Sequence, residues 1–357
     1  MSEQRHVVVI DAWRGVAASV VVIHHLTTQF PIWTTQDIGA LGALLNFIGS
    51  FNTHAVMLFF VISGYCIRAS IDDRGLGTSF DLAAYSLKRA ARILPPYWIA
   101  LALTAALMSL VEGAGNMFGV PTLIGNLLFL QTAEVTRGNW VAPFGGNGPL
   151  WSISYEVFYY SLFPILMMAS RRSGIGLCSL PVAALLSLLA LALSLAIPNP
   201  FISFLALYVV WRAGASVREC AGRPGEARRA LVVLLAYAAM LLLATRVYPS
   251  DTAVLQISGV IIAAIWLALE AFGPSQIWPP LAMRLLSPVA WLGGFSYGLY
   301  LVHFPIMAAT RGLFQDSTTG ACFSLIASLG VAVAVERIGL FVKNVVLRRL
   351  GKPLVQI

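Results

Sequence analysis

Charge is scarce in this chain. Asp, Glu, Lys and Arg make up 11% of its 357 residues, and hydrophobic residues make up 59%. A soluble domain carries roughly 25% charged residues, so a water-soluble globule is excluded. Cysteine is sparse too. Cys66, Cys178, Cys220 and Cys322 form no CxxC pair and sit in or beside apolar stretches, so they read as small buried hydrophobes and a disulfide scaffold is excluded. Glycine periodicity and a polar composition are missing, which removes collagen-like and disordered classes, and no internal repeat or low-complexity run is seen. No run alternates in the manner of a β-barrel strand. What remains is an all-α integral membrane protein. Its net charge of +8 is spread in small groups between apolar segments. Topology determinants are distributed in that way, so nucleic acid is not expected as a partner.

A spanning helix needs about 20 mostly apolar residues. Ten runs qualify: roughly 7–28, 53–71, 92–111, 149–169, 176–197, 201–217, 229–248, 252–271, 289–309 and 320–341. Asp11 and Arg14 make the first a retained span and not a cleaved signal segment. With the N-terminus in the cytoplasm, all 23 Lys and Arg residues fall inside except Arg137, Arg246 and Arg311, which fall outside, and Arg14, which lies within the first span. That bias places both termini in the cytoplasm. Two external connections are long. One, about 29–52, holds Pro31, Trp33 and Asp37. The other, about 112–148, holds Glu112, Glu134, Asn139, Trp140 and Asn147, with a short interfacial helix expected near 121–131. Connections of this length are often functional. Residues 1–357 read as a single membrane domain with no fused soluble domain.

Ionisable residues inside spans are costly and mark cavities or partners. Arg14 and His25 are eleven residues apart, within about 20° of three full turns, so they share one helix face about 16 Å apart. Asp11 can pair with Arg14 three residues on, whereas His24 points some 100° away from His25. Counted from the outer helix ends, Glu156 and His303 each lie about two turns deep, at a level similar to His25. A histidine and a carboxylate at one depth are the parts of a general base and its orienting partner. At the cytoplasmic mouth, Lys88, Arg89 and Arg92 form a basic set, and Arg89 and Arg92 share a face suited to phosphate oxygens. Pro95 and Pro96 are expected to kink the helix just above. A phosphorylated carrier with a long thin arm would bridge the two layers.

These residues resemble the acyltransferase 3 family of integral-membrane O-acyltransferases, and the resemblance covers most of the chain. IDAWRGVAASVVVIHH is similar to the family's first-span motif, with Asp11, Arg14, Gly15 and His25 in an R-x10-H register. FFVISGYCIR, with Ser63 and Gly64, resembles the second-span motif. RAARILPPYW carries an R-x-x-R feature at Arg89 and Arg92. LWSISYEVFYYSLFP aligns Trp151, Ser154 and Glu156 with the family block, and SYGLYLVHFP aligns His303. Val157 stands where a second Glu is frequent, and Met57 where an Asp is common. The SYEVFYY variant resembles the sub-group that modifies exopolysaccharides and surface glycans.

The resemblance implies a bacterial-type inner-membrane enzyme. It implies transfer of an acyl group, acetyl by expectation, from cytoplasmic acetyl-CoA or another acyl-CoA to a hydroxyl of a glycan or related acceptor at the outer side. No metal is expected. Arg89, Arg92 and Arg14 would hold the donor, and His25 would be a general base or transient acyl carrier, with Glu156 and Arg14 assisting. Asp11, Ser63, Trp151, Ser154, Tyr155 and His303 would support or bind substrate. The alternative is a non-catalytic transporter or flippase for a lipid-linked sugar. Against it stand the lack of an internal repeat and of paired broken helices.

Overall fold

The structure is a computed structural model, and it describes residues 3–30, 39–72, 81–111, 118–133, 140–272, 280–314 and 317–349. Pro31, Trp33, Asp37, Glu112, Glu134, Arg137 and Asn139 lie outside the described residues. The described residues form thirteen α-helices: α1 (Glu3–Gln29), α2 (Gly39–Gly49), α3 (Asn52–Asp72), α4 (Leu82–Met108), α5 (Val120–Leu127), α6 (Trp151–Ser173), α7 (Leu180–Ser194), α8 (Pro200–Glu219), α9 (Pro224–Val247), α10 (Asp251–Phe272), α11 (Pro280–Gly293), α12 (Ser296–Leu313) and α13 (Ser317–Arg349).

Seven of them, α1, α3, α4, α8, α9, α10 and α13, are long and apolar enough to cross a bilayer. An eighth crossing results if the bent pair α11–α12 counts as one span. This is fewer than the ten expected runs, for identifiable reasons. The run expected at 289–309 is not one rod. It breaks at Gly293–Gly294 and bends by 73°, a common place for a kink. In α6 the 23 residues include Ser152, Ser154, Glu156, Arg171 and Arg172, which dilute its apolar character. Helix α7 has 15 residues, shorter than a full crossing. By contrast α4 starts ten residues before its expected position, capped by Asp81, whose carboxylate accepts from the Ala84 N–H at 2.9 Å. It runs on through Pro95 and Pro96. The expected interfacial helix is α5.

Helix α8 is the most enclosed, packing against α3, α7 and α10. Helix α9 presents exposed Val232, Leu235 and Leu243, as a lipid-facing element must. The α3–α8 crossing is set by two glycines. A Cβ on Gly64 would lie 1.9 Å from the Trp211 carbonyl oxygen, and one on Gly214 would lie 1.9 Å from that of Val61. Small residues at such crossings let backbones approach closely. Arg212, assigned from sequence to the cytoplasmic side as a topology charge, is buried within α8. It donates to Glu219 (2.6 Å), the Cys178 carbonyl (2.7 Å) and Ser216 (2.8 Å), and Arg68 reaches the same carboxylate at 2.8 Å. A buried charge persists when it is paired in this way.

Candidate active site

Five helices bring the basic residues and Glu156 to one narrow cavity of about 90 Å³. It is lined by Arg14 (α1), Ser63 and Cys66 (α3), Arg89 and Arg92 (α4), Ser152, Glu156 and Tyr160 (α6), and Tyr297 and Tyr300 (α12). Arg14 donates to Asp11 (3.1 Å) and to the Cys66 sulfur (3.4 Å). Arg89 donates to Ser70 (2.7 Å), with its guanidinium 5.6 Å from the Tyr85 ring centre and 5.8 Å from that of Tyr160. The Glu156 carboxylate accepts from Ser63 at 3.1 Å and from the Tyr160 hydroxyl, and Ser63 in turn accepts from the Trp211 indole N–H at 3.1 Å. The chain Trp211–Ser63–Glu156 therefore ties three helices together at the cavity wall.

A second cavity, about 520 Å³, is in the size range of small-molecule sites. His25, Asn52, Thr53, Trp151 and Tyr300 line it, together with residues from the long connection, among them Thr122, Thr132 and Pro143. Three fully buried amides hold that connection down. Asn126 donates to the carbonyls of Thr122 and Ala142 (both 2.9 Å), and Gln131 donates to the Tyr97 hydroxyl (2.9 Å) and the Leu150 carbonyl (3.1 Å). Asn147 donates to Thr104 (3.1 Å) and the Leu301 carbonyl (3.0 Å). Buried backbone away from a helix needs such partners.

Tyr300 lines both cavities and accepts from the Ser152 hydroxyl at 2.8 Å. It is the side chain that the two linings have in common. Glu156 lies one turn beyond Ser152 on the arginine side. On α12, His303 lies about one turn beyond Tyr300 on the other side. The three groups expected at one depth thus fall in two layers. Two 3-10 turns over 144–150 and a fully buried Leu150 precede α6, so its first residue already lies inside the protein, and a count from the helix end places Glu156 too near the surface.

The partner that His25 meets is His303. Their Nδ1 and Nε2 atoms, respectively, are 3.2 Å apart. His303 Nδ1 lies 2.8 Å from the Leu299 carbonyl, and His25 Nδ1 lies 2.9 Å from that of Val21. A carbonyl only accepts, so both rings carry hydrogen on Nδ1. His303 Nε2 is then the acceptor for the His25 Nδ1–H, and in a neutral His25 ring Nε2 carries the lone pair of a base. His24 packs edge-on against His25, ring centres 5.0 Å apart. Ser154 and Tyr155 line neither cavity. Ser154 is buried, and Tyr155 stacks on Phe60 and meets Phe204 in the core. Among the described residues no three His, Cys, Asp or Glu side chains gather as a metal-ligand set.

Sequence reasoning passed over Tyr160, Trp211, Tyr297 and Tyr300. Tyr160 was within reach, four residues after Glu156 and so on its face. Trp211 had no local signal, because its place follows from the α3–α8 crossing.

The model of the acyltransferase 3 family, described as an acyltransferase domain, matches residues 7–337. The chain is 26% identical over 388 residues to acyltransferase MdmB of Streptomyces mycarofaciens, an alignment that covers 95% of this chain and 91% of that protein. No solved structure matches it.

Proposed function

This chain belongs to the acyltransferase 3 family, and we propose that it is a membrane-bound O-acyltransferase of the bacterial inner membrane. The donor is a cytoplasmic acyl-CoA, acetyl-CoA in the first instance, and the acceptor is a hydroxyl of a glycan or related molecule on the outer side. In this reading the chain is one membrane domain of ten crossings, with α6, the short α7 together with the apolar residues flanking it, and the bent α11–α12 pair completing the seven long helices, and both termini are cytoplasmic.

The observation that carries the reading is the His25–His303 pair beside a roomy cavity, with an arginine-lined cavity that shares Tyr300 with it. Donor phosphates are held by Arg89 and Arg92, and Arg14 contributes positive charge along the arm. The thioester is delivered past Tyr300. As the acceptor oxygen attacks the thioester carbonyl carbon, its proton passes to His25 Nε2. The resulting imidazolium keeps its Nδ1–H on the Val21 carbonyl and His303 Nε2, two acceptors already in place. Collapse of the tetrahedral adduct breaks the C–S bond, and the proton on Nε2 goes to the departing thiolate. Glu156, held by Ser63 and Tyr160, acts on the donor side as a fixed negative charge facing the guanidinium groups.

Mass spectrometry of surface glycans from cells carrying the wild-type or the His25→Ala protein tests this. An acetyl-sized mass that vanishes in the variant is expected. Identical mass patterns with both proteins overturn the reading.

A further inference from the structure

Helix α13 brings one more cation to the arginine mouth. Helices α4 and α13 touch where a Cβ on Gly339 would come within 2.7 Å of the Pro96 ring. They run antiparallel, so one turn from this crossing towards the basic end lies Arg92 on α4 and Lys343 on α13. A further turn on α4 reaches Lys88 and Arg89. Lys343 lies within electrostatic reach of Arg92, Arg89 and Lys88, with Glu336 as the acidic group acting on it. Glu336 is seven residues away on the same face, about 10 Å along the axis, and accepts from the Gly298 N–H of α12 at 3.3 Å. It is engaged one layer deeper and is not a close ion-pair partner for Lys343. Lys343 therefore adds a cation from a second helix beside Arg89 and Arg92, which line the cavity, a gathering of like charge that an incoming anion offsets.

We propose that Lys343 is a phosphate contact for the donor, so that α13 and α4 grip a multiply phosphorylated nucleotide thioester from two sides; this rests on the acyl-donor reading above. The two arginines supply planar forks and the lysines compact point charges, a combination that fits phosphate groups at more than one position. A CoA thioester presents a diphosphate and a 3′-phosphate. A thioester borne on a carrier protein presents only the single phosphodiester of its phosphopantetheine arm. The cluster thus selects CoA thioesters over carrier-borne ones.

The test is equilibrium binding of coenzyme A, dephospho-coenzyme A and phosphopantetheine to the purified full-length protein in detergent. The variants are Lys343→Gln, Lys343→Arg, Glu336→Gln and the Lys343→Gln/Glu336→Gln double variant, each checked for an unchanged melting temperature. Lys343→Gln is expected to weaken coenzyme A about tenfold, with Arg restoring most of the loss. Phosphopantetheine should bind weakly and respond little to any of these changes. Unchanged coenzyme A affinity in folded Lys343→Gln overturns the inference, as does full restoration by adding Glu336→Gln, which would make Lys343 a structural counter-charge. Wild-type protein that transfers acyl groups from CoA with no KM change in Lys343→Gln overturns this inference alone. Lys343-dependent coenzyme A binding in a protein that transfers no acyl group overturns the acyl-transfer reading and leaves the inference standing.

Discussion

His303 Nε2 accepts from His25 Nδ1 across 3.2 Å, and the carbonyls of Val21 and Leu299 fix the proton positions on the two rings. The pair leaves one unprotonated nitrogen, His25 Nε2, on a side chain that lines the larger cavity. His25→Ala removes that nitrogen and is expected to lower turnover by about 10²–10⁴-fold, the range of general acid–base catalysis. His24→Ala is expected to cost far less. Thiol release from acyl-CoA by the purified variants, with one acceptor present, checks both. A dead His24→Ala beside an active His25→Ala would move the site to the other ring.

In the proposed mechanism His303 acts through His25, so its replacement should divide differently. His303→Gln can keep an acceptor near His25 Nδ1, and His303→Ala cannot. Glutamine is expected to retain clearly more kcat than alanine, with KM for acyl-CoA unchanged in both. Equal loss in the two variants, accompanied by a lowered melting temperature, would reduce His303 to a packing residue.

Ser63 stands between Trp211 and Glu156. Ser63→Ala leaves the indole N–H and one carboxylate contact without their partner, and a buried orphan of this kind costs about 1–3 kcal/mol. Thermal unfolding in detergent should therefore show a lower midpoint. The same change should raise KM for the donor more than KM for the acceptor, because Ser63 lines the arginine cavity. An effect confined to the acceptor would contradict the two-layer arrangement.

Asn147 pins the long connection to α4 and α12 through Thr104 and Leu301. Asn147→Ala is expected to raise KM for the acceptor and to increase protease sensitivity within 112–148. Unaltered proteolysis would mean that the connection is held without this amide.

Orientation is checked by cysteine accessibility. In a background lacking the four native cysteines, Trp140→Cys should react with an impermeant maleimide added outside intact cells, whereas a cysteine at Arg171 should not. The reverse pattern would invert the topology and place donor and acceptor on the opposite sides.

How much was legible in the sequence follows from which forces act locally. Bilayer thickness sets span length, so apolar runs marked the positions of α1, α3, α8, α9, α10 and α13. The common level of His25 and His303 was also readable, since both sit in regular helices whose depth can be counted. Glu156 was not, because the buried turns over 144–150 shift the start of α6 inward. The pairing of Arg89 with Arg92 at one cavity was visible from their spacing of three. The place of Trp211 beside Ser63 and that of Lys343 beside Arg92 were invisible. Each reaches its place through a glycine contact between distant helices, Gly64 and Gly214 in one case and Gly339 with Pro96 in the other, and no local pattern encodes a crossing.

The glycine crossing of α3 and α8 also bears on how the site behaves when it is empty. With each backbone seated against the other's carbonyl, neither helix can slide or rotate by a residue without a steric clash. Ser63 lies next to Gly64, and Trp211 supplies the very carbonyl that Gly64 accommodates, so their hydrogen bond is set by the framework and not by an occupant. Glu156, held from Ser63, inherits that fixity. If the cavity takes the donor as proposed, its negative pole is in position before the donor arrives. Binding then need not reorganise the charges, and electrostatic stabilisation from a fixed array costs nothing further at the moment of reaction.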